Sequence, residues 1–93
     1  MSDELADGRA RISANDERIV ALVNERLRLV AELWEVKRRV GADQIDPQRE
    51  QALLARLQAS NQGPLSAAGL EHLVRELLDL TKRELGARDG GPR

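Results

Sequence analysis

Between Arg9 and Val40 the apolar residues recur every three to four positions. That is the spacing of one face of a helix. With Arg26 as origin and about 100° per residue, Ile12, Ile19, Leu22, Val30, Leu33 and Val40 lie within about 40° of it. Lys37 lies within about 20°. Two long cations therefore stand on the stripe that a helix of this kind buries. Lys and Arg are seldom fully buried without a partner. Either this stripe stays open, or something anionic lies beneath it.

Two shorter helices follow. Gly41 is placed to stop the first helix in a left-handed conformation, with Arg38 and Arg39 in its last turn. Met1–Asp7, polar and acidic, is expected to fray. In GADQIDPQRE, Asp46 is a good N-cap and Pro47 a good first helical residue. The second helix is predicted to run to about Ala59, with Leu53, Leu54 and Leu57 as its stripe and Glu50 at the head of it. SNQGP breaks the chain again, and Ser66 caps a third helix, with Leu65 and Leu70 as a hydrophobic staple. Leu70, Leu73, Val74, Leu77 and Leu78 form its stripe. Thr81 continues the stripe and Leu85 follows one turn later. The tail ARDGGPR is expected to be disordered.

The reading is a single all-α domain over residues 1–93, built of one long helix and two shorter ones. Leu, Val, Ile and Ala dominate the apolar set and Trp34 is the only aromatic residue, which favours helices over a sandwich. A helix of about 32 residues is about 48 Å long. A compact domain of this size is only about 35 Å across. The long helix overhangs any monomeric globule, and a symmetric dimer is the commonest way to cover such an overhang.

Charge narrows the functions. Fifteen basic residues face sixteen acidic ones, for a net charge of −1. There is no global field to gather nucleic acid, and no Phe or Tyr to stack on its bases. There are no cysteines, so neither disulfides nor thiolate chemistry arise. The first ten residues do not read as a secretory signal, and no apolar run approaches the roughly 18 residues of a membrane span. The expected compartment is the cytoplasm. His72 beside the third stripe reads as a boundary residue. The sequence contains no Gly-rich phosphate loop, metal-ligand cluster or Ser/His/Asp arrangement.

What remains is a set of inward-facing polar groups. They are Arg26 and Lys37 from the first helix, Glu50 from the second and Thr81 from the third, with Asp46 and Arg49 beside them. Arg9 lies about 100° round from Arg26 and could reach a second subunit. The set is more basic than acidic and suits a small dianion. Arg would clamp its carboxylates, and Glu50 and Thr81 would read its hydroxyls. The blander alternative is a coiled-coil interaction module with boundary salt bridges.

At these residues the chain resembles the all-helical chorismate mutases. The segments concerned are RARISANDERIVALVNERLRLVAELWEVK, DPQREQALLARL, NQGPLSAAGL and ELLDLTKREL. They include the spacing of Arg9, Ile12 and Asp16, the Lys eleven residues after Arg26, and the Asp-x-x-Arg-Glu opening of the second helix. The resemblance implies an intertwined homodimer with two active sites, and the rearrangement of chorismate to prephenate on the way to phenylalanine and tyrosine, without a cofactor. It implies that Arg9 enters the partner's site and, with Arg26, holds the substrate carboxylates. Lys37 would face the ether oxygen, Asp46 and Glu50 the ring hydroxyl, and Arg49 and Thr81 would complete the wall. The catalytic set would be Lys37, Arg26 and Glu50. One position departs from the pattern. Where the family usually has Gln, sometimes Glu, this chain has Leu85 with Glu84 beside it. Either a small shift brings Glu84 in, or a second donor is missing. That leaves room for an enzyme improved by an activating partner, and for a mutase or pyruvate lyase acting on an amino- or isochorismate relative.

Overall fold

The structure is a computed structural model and describes residues 2–86. It consists of three helices, α1 (Ser2–Val40), α2 (Pro47–Ser60) and α3 (Ala67–Leu85), with no strand among the described residues. The all-α expectation holds. Of the segment expected to fray, residues 2–7 are helical. The helix begins at Ser2, with Asp3 and Glu4 in its first turn, where carboxylates favour the positive end of the helix dipole. Gly8 lies inside it and costs about 1 kcal/mol relative to Ala. Met1 and residues 87–93, whose disorder was expected, lie outside the described residues.

Each helix end has an identifiable cause. α1 stops at Gly41, whose φ is 76°. There the Ala42 amide donates to Lys37 O at 2.8 Å and the Gly41 amide to Arg38 O at 3.4 Å. This is a Schellman pairing of the last turn. Asp46 caps α2, its Oδ1 accepting from the amides of Gln48 (3.1 Å) and Arg49 (3.3 Å), and Pro47 follows as the first helical residue. Ser66 caps α3 by accepting from the Gly69 amide at 3.0 Å. Between α2 and α3, Asn61 donates to Leu65 O at 2.8 Å and accepts from the Gly63 amide at 3.0 Å. α3 ends at Gly86, φ 67°, whose amide donates to Lys82 O.

α3 packs against both α1 and α2. Among the described residues the buried apolar core is Trp34, Leu70 and Val74 alone, with Thr81 buried beside them. No residue of α2 is fully buried; Leu53, Leu54 and Leu57 are half-buried against α3. Leu73, expected on the third stripe, is exposed.

The apolar surface of α1 is wider than the single stripe expected. Val23, Leu27, Val30 and Trp34 are buried or half-buried, and lie about 40° to 100° to one side of Arg26. Leu22, Leu29, Leu33, Val36 and Val40 are exposed, and lie about 20° to 80° to the other side. α3 therefore covers one flank of the arc and leaves the other open. Toward the N-terminus Ile12 and Ile19 are open as well. The molecule measures 59 × 26 × 20 Å. Its radius of gyration of 17.1 Å compares with about 12 Å for a compact domain of this length. α1 thus overhangs the rest of the fold, as its length predicts.

Candidate active site

The concave side of the three-helix arrangement is a cleft of about 190 Å³. That is below the roughly 300–1,000 Å³ of drug-sized pockets, so it suits a small metabolite. α1 contributes Arg26, Val30, Leu33, Trp34 and Lys37, and the linker Gln44, Ile45 and Asp46. α2 contributes Arg49, Glu50 and Leu53, and α3 Leu78, Thr81 and Lys82. Six predicted site residues, Arg26, Lys37, Asp46, Arg49, Glu50 and Thr81, thus meet in one cleft.

Each is held by its local structure. Arg26 Nη1 donates to Thr81 Oγ1 at 2.6 Å, and the Thr81 hydroxyl donates in turn to Leu77 O at 2.7 Å. With its only proton committed to the backbone, Thr81 meets Arg26 as an acceptor. The sequence reading gave Thr81 a ligand hydroxyl; here it first of all fixes the guanidinium. Lys37 stands in the last turn of α1, where its ammonium complements the helix dipole. Its carbonyl receives the Ala42 amide and its Nζ donates to Gln44 O at 3.1 Å. The turn after α1 is therefore tied to both ends of this one residue. Asp46 and Arg49 are exposed on the rim, and Glu50 is half-buried.

Periodicity did not find Lys82. Its Nζ lies 3.3 Å from Glu50 Oε2. A lysine in the last turn of a helix is ordinary, and it falls about 100° from Thr81, away from the stripe. Nor did periodicity find Trp34, the aromatic wall of the cleft, which stands about 80° from Arg26. The available signal was its being the only aromatic residue of the chain.

Three anticipated residues are not in the cleft wall. Arg9 is exposed on α1, seventeen residues before Arg26, or about 25 Å along the axis. It cannot reach the cleft of its own chain. Leu85 is half-buried and Glu84 exposed. Counting from Thr81 at about 100° per residue, the cleft residues Leu78 and Lys82 lie at about 60° and 100°, Leu85 at about 40° and Glu84 at about −60°. Leu85 shares the cleft-facing arc one turn beyond Thr81, and Glu84 does not.

The cleft brings four cationic side chains against two anionic ones, in a chain whose net charge is −1. Two excess positive charges in a partly apolar cleft favour an anionic ligand over a neutral or cationic one. The profile of the family described as chorismate mutase type II matches residues 8–84. The chain belongs to this family. No curated protein and no solved structure matches it significantly. The chorismate mutase match spans every cleft residue and Arg9, and ends one residue before Leu85. Among the described residues no group of His, Cys, Asp or Glu could hold a metal ion. No helix there is long and apolar enough to cross a membrane.

Proposed function

We propose that this protein is a chorismate mutase, rearranging chorismate to prephenate in the cytoplasm as a step toward phenylalanine and tyrosine. The observation behind this reading is the meeting of Arg26, Lys37, Asp46, Arg49, Glu50 and Thr81 in one cleft within the matched span.

The chemistry asks for what such a cleft supplies. One C–O ether bond breaks and one C–C bond forms within a single molecule. No nucleophile or proton transfer is required. The substrate must be folded so that the two ends to be joined approach each other, which is a positioning effect. Arg26, fixed by Thr81, holds a carboxylate. Glu50 and Asp46 take the ring hydroxyl, and Arg49 closes the wall. Negative charge grows on the ether oxygen as its bond breaks. The Lys37 ammonium, held in place by Gln44 O, binds that charge more tightly in the transition state than in the ground state.

The working form is a homodimer with shared sites. The open flank of α1 supports this, because Leu22, Leu29, Leu33 and Val36 are exposed in a single chain. At about 25 cal/mol per Å² such a surface gains much by pairing. Arg9 then enters the partner's cleft and serves there as the second carboxylate clamp beside Arg26.

Leu85 supports a second reading within the same chemistry. With an apolar residue at that position, the reading is a mutase or pyruvate lyase for a related substrate such as an amino- or isochorismate, or an enzyme activated by a partner. Purified protein incubated with chorismate, with loss of absorbance followed and the product identified, tests the first reading. Turnover of a relative but not of chorismate selects the second. No turnover, with tight helical pairing to another protein, selects an interaction module.

A further inference from the structure

The charged residue of the cleft that periodicity does not explain is Lys82. Its ammonium lies 3.3 Å from Glu50 Oε2, and the two side chains are 31% and 27% exposed. The pairs Arg38–Glu35 and Arg75–Glu71 lie within single helices and are more exposed. The Lys82–Glu50 pair instead joins α3 to α2, and both members line the cleft. Its backbone anchor is firm, since the Gly86 amide donates to Lys82 O at the left-handed end of α3. Lys37 has the same place at the end of α1, where the turn at Gly41 returns an amide to its carbonyl. Two helix ends thus bring two ammonium groups to one cleft, each favoured there by its helix dipole.

An unpaired Glu side chain samples many rotamers and loses that freedom when it must hold one ligand group. We propose that Lys82 is a positioning residue of the site. It pins Oε2 of Glu50, so that the other carboxylate oxygen stands ready to accept the substrate's ring hydroxyl. The inference rests on the reading of the cleft as a chorismate site. A carboxylate has acceptor capacity for both partners at once. The hydroxyl takes no part in bond making, so its contact is the same in ground and transition states. Losing the pin then raises KM and leaves kcat nearly unchanged.

The test is a cycle of full-chain variants: Lys82→Met, Glu50→Gln and the pair together, with Lys82→Arg as conservative rescue. Lys82→Gln stands in should the Met variant fail to fold by circular dichroism. Steady-state kinetics with chorismate are read beside a titration with prephenate followed by the fluorescence of Trp34, which lines the same cleft. For a pair less than one third exposed the expected effect of Lys82→Met is about fivefold in KM and in prephenate affinity. Lys82→Arg should restore most of it. In the Glu50→Gln background Lys82→Met should lose most of its effect, because the carboxylate that it positions is gone. Equal losses in both backgrounds overturn the proposal, since Lys82 would then act independently of Glu50. So does a loss confined to kcat, or a silent Lys82→Met in an active enzyme. A wild-type chain that neither turns over chorismate nor binds prephenate overturns the chorismate reading, and the role of Lys82 falls with it.

Discussion

Arg26 and Thr81 meet across 55 residues of chain, the guanidinium donating to the threonine hydroxyl at 2.6 Å. Among the described residues Thr81 is the buried polar one, and its own proton goes to Leu77 O. One hydroxyl therefore links the middle of α1 to the backbone of α3 and sets the direction of the guanidinium at the cleft. Thr81→Val keeps the shape and removes the acceptor. A hydrogen bond to a charged group contributes about 1.5 kcal/mol or more. KM for chorismate should rise about tenfold in this variant, and Thr81→Ser should recover most of the loss. Normal kinetics in Thr81→Val would show that Arg26 orients itself.

Lys37 is the second test. Removing one preorganised donor to a developing oxyanion typically costs about 10² to 10³ in rate. Lys37→Ala should fall in that range in kcat. Lys37→Arg should stay well below wild type, because its planar fork is longer and differently directed. Lys37→Ala also loses the bond to Gln44 O, and Lys37→Arg must remake it with a different donor geometry, so the melting temperature of each is measured beside its rate. A folded Lys37→Ala with near-normal turnover removes Lys37 from the mechanism.

Much of this site was legible because polar residues interrupt apolar stripes. Arg26, Lys37, Glu50 and Thr81 stand where a helix of this composition should present Leu or Val, and a periodicity count finds such positions. Asp46 was legible from its cap and proline. Lys82 was not, since its place is set by how α2 crosses α3, which local pattern does not encode. The same holds for Trp34. Its angle on α1 marks the flank that α3 covers, and only packing decides between the two flanks. The start of α1 was misread for a local reason. Acidic, polar Ser2–Asp7 lacks an apolar stripe, yet its charges suit a helix N-terminus.

The open flank of α1 predicts the assembly. Light scattering at micromolar concentration should give twice the chain mass of 10.3 kDa. The melting temperature should rise with protein concentration, as linkage requires. Leu29→Lys places a charge on the exposed flank, outside the cleft wall, and should dissociate or unfold the protein. Arg9→Ala and Arg26→Ala should each be nearly inactive, yet recover activity when refolded together, because a mixed dimer holds one intact site. A folded, active species of single-chain mass would refute the dimer. Mixed dimers without recovery would refute the sharing.

Gly41 tests how the linker holds Lys37. A Cβ there meets nothing within 4 Å, but φ is 76°. Gly41→Ala therefore carries a backbone cost alone, about 1 kcal/mol, and a drop of several degrees in melting temperature. The Ala42–Lys37 bond depends on that turn, so kcat should fall as well. Loss of stability with unchanged kcat would separate the turn from the position of Lys37.

The last prediction concerns the α3 position where the family pattern has an amide or a carboxyl and this chain has Leu85. The helix geometry favours Leu85 over Glu84, since Leu85 shares the arc of Leu78, Thr81 and Lys82 and Glu84 points about 100° away from Leu85. Glu84 is also exposed. Glu84→Ala should therefore leave kcat and KM unchanged. Leu85 is half-buried, and its replacement by Gln exchanges an apolar contact for an amide one turn beyond Thr81. Some stability should be lost, since burying a polar group without a partner has a cost. If the amide meets the ether oxygen, the cleft gains a donor opposite Lys37, and kcat should rise while KM changes little. The gain should largely vanish in a Lys37→Ala background if both groups serve the same oxygen, because coupled groups do not add. A Leu85→Gln enzyme that is folded and slower, together with an inactive Glu84→Ala, would mean that α3 turns by a residue in the working assembly and that Glu84 is the group beside the ether oxygen.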